Sequence, residues 1–140
     1  MVAPFREPHT EPPANECGIV VLAHLSRGEW VYSWSAIAPN FRGEGLGNVA
    51  LEPGEPATAE GAALAGVLNA IRTARQAPAV LRGTRFTVLV SGSAAAVAIL
   101  NDPTQPAPRF ARVVADLRDE ITLLGGNVQF HIQPGTEGTT

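Results

Sequence analysis

The apolar and polar positions change period several times along the chain, and each change marks an element. From Cys17 to Leu25 the residues are almost continuously apolar, with Ile19, Val20 and Val21 β-branched, which predicts a central strand. Ser26 to Glu29 is polar and contains Gly28, a hairpin-turn pattern. Trp30, Tyr32 and Trp34 alternate with Val31, Ser33 and Ser35, so 30–35 reads as a second strand. Asn40 to Gly47, with Gly43, Gly45 and Gly47, reads as a glycine-rich loop, and Asn48 to Leu51 as a short third strand. The simplest arrangement of these three strands is an antiparallel meander. Pro53 and Pro56, with Gly54 between them, then stop the sheet.

The period next lengthens. Thr58 is a candidate cap for a helix over 59–75, in which Leu64, Val67, Leu68 and Ile71 recur at helical spacing. After a loop over 76–83, Phe86 to Val90 is a near-continuous apolar run, as expected of a parallel strand. Ser91-Gly92-Ser93 turns into a short helix over 94–100, and three prolines within 101–108 separate it from the next. Phe110, Val113, Val114, Leu117, Ile121 and Leu124 form one apolar stripe, with Arg112, Asp116, Asp119 and Glu120 placed off it and Gly125-Gly126 at its end. Val128, Phe130 and Ile132 alternate with Gln129 and His131, a half-buried last strand. The order β-β-β-α-β-α-α-β predicts an α/β domain with a mixed five-stranded sheet: three antiparallel strands, then β-α units, with helices packed on it. The expected organisation is a proline-rich tail over 1–16, one domain over 17–135 and a short tail over 136–140.

Composition narrows the classes. A chain of 140 residues fits one domain, and the lone Cys17 excludes an internal disulfide. No apolar run approaches the roughly 20 residues that span a bilayer, and the N-terminus lacks a signal pattern, so a soluble, intracellular protein is expected. The net charge is −3, which argues against strong non-specific binding to nucleic acid, because phosphate neutralisation needs a basic surface. All ten basic residues are arginine. The first aspartate is Asp102, and only Asp116 and Asp119 follow.

Three strings carry a family resemblance. Ala57 to Ala65, containing Ala59-Glu60 and Ala63-Leu64, resembles a first long helix whose opening turn bears a catalytic glutamate in an A-E-x-x-A-L pattern. Val88 to Ser93 is similar to a fourth strand closed by a T-D-S triplet, and Gln129 to Thr136 to a fifth strand with a W-V-P-G-H exit. Together with the element order, they resemble the ribonuclease H-like superfamily, above all the domains of retroelement and viral reverse transcriptases. The resemblance implies a ribonuclease H-like fold over 17–135, with the final helix absent. It also implies an activity: hydrolysis of RNA in RNA–DNA hybrids by two magnesium ions held by four acidic residues. Two cations that clamp attacking and leaving oxygens need that many oxygen ligands.

The departures from the pattern decide the expectation. The first-strand aspartate position falls at Ala23 or His24, the fourth-strand aspartate aligns with Gly92, and the exit histidine aligns with Thr136. Glu60 alone survives, as a relic or a remaining acid, and one carboxylate cannot hold two metal ions. In a first helical turn it also favours the helix dipole by about 0.3–1 kcal/mol. The expectation is therefore a degenerate, non-catalytic ribonuclease H-like domain acting in nucleic-acid or protein binding and assembly. It needs no cofactor, with Mg2+ or Mn2+ entering only if the domain is active. Two alternatives stand beside it: an active ribonuclease H with substituted or truncated ligands, and a structural dimerisation domain.

Other residues are weighed the same way. The period-two aromatics Trp30, Tyr32 and Trp34 are core in a complete family member, and an interface if a missing last helix leaves the sheet bare. Arg72, Arg75, Arg82 and Arg85 form a candidate phosphate-contacting patch, although arginines at a helix C-terminus also complement its dipole. His24 reads as a satisfied strand histidine and His131 as solvated, and no spacing supports a zinc site. The expected partner is a protein or a second copy of the chain, with nucleic acid as a second candidate and no membrane.

Overall fold

The computed structural model describes residues 15–48, 58–80, 82–102, 104 and 110–133. Eight elements follow one another: β1 (Glu16–Ser26), β2 (Glu29–Ala38), β3 (Phe41–Asn48), α1 (Ala59–Gln76), β4 (Arg85–Ser91), α2 (Ala94–Asn101), α3 (Ala111–Leu123) and β5 (Val128–Ile132). The strands form one five-stranded sheet in the order β3-β2-β1-β4-β5. β1 lies antiparallel to β2 and parallel to β4, and β4 is parallel to β5. The element order and the mixed sheet expected from the sequence are those observed.

Alternation along β1 sorts its side chains. Cys17, Ile19, Val21 and Ala23 are buried, while Leu22 between them is exposed. The buried set meets α1, which contributes Ala62, Ala63, Leu64, Val67, Ala70 and Ile71 to the same core. α3 packs beside α1, and α2 lies against β5. β4 is buried at Phe86, Val88, Leu89 and Val90, as a strand between two parallel neighbours should be.

The third strand departs from expectation. Gly43, Gly45 and Gly47 are not in a loop: they are alternate residues of β3, which also takes in Asn48, the first residue of the predicted strand over 48–51. Residues 49–51 lie outside the described region. The cause is steric. Register sets Trp34 opposite Gly45 and Tyr32 opposite Gly47, so each large ring of β2 lies across a residue with no side chain. A Cβ on Gly45 would stand 2.6 Å from the Trp34 indole nitrogen, and one on Gly47 would stand 2.7 Å from the Tyr32 hydroxyl. Glycine at period two is here a surface for aromatic rings, not a turn signal.

α1 uses the same device. A Cβ on Gly66 would come within 2.7 Å of Val21 Cγ1 and 3.0 Å of Tyr32 Cβ, so that glycine lets the helix settle onto the sheet. Alanine normally stabilises a helix interior by about 1 kcal/mol relative to glycine and is also the better strand residue. At Gly45 and Gly66 the sign is expected to reverse. Gly45→Ala and Gly66→Ala should each lower the unfolding free energy by about 1–3 kcal/mol, and urea denaturation of the two variants checks it.

Candidate active site

β1 and β4 run parallel, and their ladder ends where Leu22 pairs with Ser91, beyond which β1 continues beside β2 to Ser26. The residues that follow are Ala23 and Gly92. α1 returns in the opposite direction, because its last turn shares a pocket with Arg82 and Phe86 at the start of β4. Its first turn, with half-buried Glu60, therefore lies at the edge where β1 and β4 finish. The Thr58 hydroxyl accepts from the Gly61 amide at 3.1 Å and fixes that turn. α2 starts from the same edge, capped by the Ser93 hydroxyl, which accepts from the Ala96 amide at 3.1 Å.

The edge is closely packed. Gly92 has φ +98°, and a Cβ built on it would collide with the Ala23 carbonyl oxygen. Ala23 is itself buried on the α1 side of β1, whereas His24 alternates onto the opposite face. His24 Nδ1 is buried and finds no hydrogen-bond partner among the described residues, contrary to the expectation of a satisfied histidine.

No protein family and no curated protein sequence matches the chain. Solved structures do. The chain is similar to LC11-RNase H1 in complex with RNA/DNA hybrid, at 11% identity and a TM-score of 0.65, over 86% of this chain and 87% of that one. It is similar to RNase H1 from the halophilic archaeon Halobacterium salinarum at 11% identity and a TM-score of 0.53, over 89% of both chains. It also resembles the foamy viral protease-reverse transcriptase bound to RNA/DNA hybrid, at 10% identity and a TM-score of 0.52, over 99% of this chain but 20% of that one. This is a ribonuclease H-like fold.

The described residues at this edge do not fit a pair of divalent cations. Such a pair requires several carboxylate oxygens held together. Ala23 and Gly92 bring none. Glu29 stands at the same end, but it pairs with Ser26 at the hairpin tip, three residues and roughly 10 Å along β1 from Ala23. Among the described residues no group of three or more His, Cys, Asp or Glu side chains could hold an ion. Thr136 lies outside the described residues.

Three of the four arginines singled out from the sequence are engaged in ion pairs. Arg72 Nε donates to Glu120 Oε2 at 3.0 Å, and Arg75 Nε donates to Glu120 Oε1 at 2.6 Å, so both belong to a clamp between α1 and α3. Asp116 stands 3.9 Å from Arg72 and extends the network. Arg85, at the start of β4, pairs with Glu16 at 3.6 Å, and Arg82 is exposed in the turn before it. Both lie at the end of the sheet opposite Gly92.

The aromatic stripe is likewise not a bare surface. Tyr32 and Trp34 are buried and Trp30 is half-buried against the core, because α1 covers that face of the sheet. Trp34 Nε1 donates to Asn69 Oδ1 of α1 at 2.9 Å. No helix among the described residues is long and apolar enough to cross a membrane.

Glu120 was misplaced by the sequence pattern. It is 5% exposed, although a charged residue was expected off the apolar stripe. Its signal was present: Glu120 follows Leu117 by three residues and so shares its face, and Arg72 and Arg75 have the same spacing on α1. Burial alone would push the Glu120 carboxyl up. The hydrogen bonds from Arg75 and Arg72, reinforced by their charges, outweigh it and hold the group below the ordinary 4.5.

Two predictions follow from this geometry. A depressed carboxyl adds stability above its unfolded pKa and loses it as pH falls through the folded one. Glu120→Gln should therefore cost about 1.5–3 kcal/mol at neutral pH, toward the lower end because the Arg72 side chain is 45% exposed. That difference should shrink as pH falls below 4.5, read from urea melts of both proteins. Gly92→Asp should destabilise by about 2 kcal/mol or more through the forced backbone and the Ala23 clash. Calorimetry should show that it gains no magnesium binding.

Proposed function

We propose that this chain is a non-cleaving ribonuclease H-like module that acts in assembly through a protein partner. The observation that carries the reading is the Ala23–Gly92 contact. Where the β1–β4 ladder ends, backbone packs on backbone with no room for a carboxylate on Gly92, and among the described residues Glu60 belongs to no group of three or more potential ligands that could hold a cation. Hydrolysis by two metal ions has no ligand set among the described residues there.

A nucleic-acid role is the second reading. It is favoured by the likeness to two proteins whose structures hold RNA/DNA hybrid. The charges weigh against it. Arg72 and Arg75 are committed to Glu120, Arg82 and Arg85 stand at the opposite end of the sheet, and the whole chain is acidic at −3.

The test is incubation of a labelled RNA–DNA hybrid with the chain in magnesium and in manganese, with Glu60→Gln as control. No cleavage by either protein is expected, and no chemical-shift change near Glu60 on titration with magnesium. Cleavage that disappears in the Glu60→Gln variant would restore the enzyme reading with ligands from other positions.

A further inference from the structure

The sheet has two outer strands, and they are treated differently. β5 is five residues long, and the Asn101 side chain of α2 donates to its Phe130 carbonyl at 3.1 Å, which blunts that edge. β3 is eight residues long and pairs with β2 in unbroken register from Phe41 to Asn48. It has no proline, no lysine and no bulge, the features by which edge strands ordinarily avoid pairing with another chain. No backbone hydrogen bond joins its outer side to another described residue.

We propose that this edge binds a second copy of the chain, with the two β3 strands antiparallel about a two-fold axis through Gly43. The choice of register rests on charge. Arg42, Glu44 and Leu46 are exposed on one face of β3, and Leu46, at 84%, is among the most exposed apolar side chains described. A two-fold axis perpendicular to the sheet keeps each face continuous only when it passes through a residue. Through Glu44 it would set two glutamates against each other, and through Gly45 it would set Glu44 against Leu46. Through Gly43 it sets Arg42 opposite Glu44 of the second copy, twice, by symmetry.

One strand pairing buries less than about 1,200 Å2, so the dimer is weak and concentration-dependent. The inference rests on the assembly reading above, for which it names the partner.

Sedimentation equilibrium of the full chain, over concentrations up to the millimolar range, tests it with four proteins: the wild type, Arg42→Glu, Glu44→Arg and the double reversal. The wild type is expected to dimerise. Each single reversal places like charges in both pairs and should weaken association roughly tenfold or more, and the double reversal should recover it. Both side chains are exposed, so circular dichroism should show all four folded. A wild type that stays monomeric, single variants that associate as tightly as the wild type, or a folded double variant that fails to recover would each overturn the pairing. Failure here leaves the hybrid-cleavage result untouched, and cleavage of the hybrid would overturn the assembly reading while leaving the dimer in place.

Discussion

The described core depends on how closely α1 lies against β1 and β2. Small residues make the approach. Gly61, Ala62, Ala63, Gly66, Ala70 and Ala74 are all buried on the helix, and Gly66 brings its backbone to the side chains of Val21 and Tyr32. The large residues come from the sheet instead. Tyr32 and Trp34 fill the space that the alanines leave, and their rings are accepted on the far side by the glycines of β3. Bulk on the sheet therefore requires smallness in two neighbours at once, in α1 and in β3. The Trp34 indole N–H, which burial would otherwise leave unsatisfied, is met by Asn69 of the same helix. The aromatic stripe thus serves as the cement between layers, and the helix that covers it removes it as a surface.

The second junction is electrostatic. α3 touches the sheet less than it touches α1, and Glu120 reaches from it to two arginines of α1. A buried carboxylate flanked by two half-exposed guanidinium groups avoids the full desolvation of a sealed ion pair, since the arginines retain part of their hydration. It also gives the helix pair a defined rotation, because Arg72 and Arg75 meet different oxygens of one carboxylate. Arg72 and Arg75, which in sequence look like part of a basic patch for phosphate, are engaged by this carboxylate.

Legibility in the sequence followed the physics of each signal. Strands and helices with an ordinary hydrophobic period were readable, from the apolar run of β1 to the stripe of α3, and the Thr58 cap fell where it was expected. β3 was misread because glycine carries opposite meanings. It marks a turn by its freedom at positive φ, and a close approach by its missing side chain, and composition alone does not separate them. The alternation of Gly43, Gly45 and Gly47 against Trp30, Tyr32 and Trp34 was the available clue, since equal periods on neighbouring strands suggest facing positions. At the candidate site, the sequence pointed to Glu60, Ala23, His24 and Gly92 but could not choose between Ala23 and His24. Only strand parity, which needs the register, puts Ala23 on the side of α1 and His24 on the other. Glu120 escaped because a charge is assigned to solvent by default, and its partners lie 45 and 48 residues away.

The β1–β4 edge also bears on what the core of such a fold requires. Carboxylates gathered around metal ions repel one another when the ions leave, so they burden the apo fold and contribute little to its core. Nothing in the buried set around Ile19, Val21, Leu64 and Val88 depends on an acid at Ala23 or Gly92. At this edge the backbone itself fills the space. With no Cβ at residue 92 and a positive φ, the turn out of β4 presses against the Ala23 carbonyl, and the space that a side chain would need is occupied by backbone. Restoring one aspartate would have to move that turn before it could offer an oxygen to a cation. The constraint on residue 92 is therefore set by the backbone path between β4 and α2.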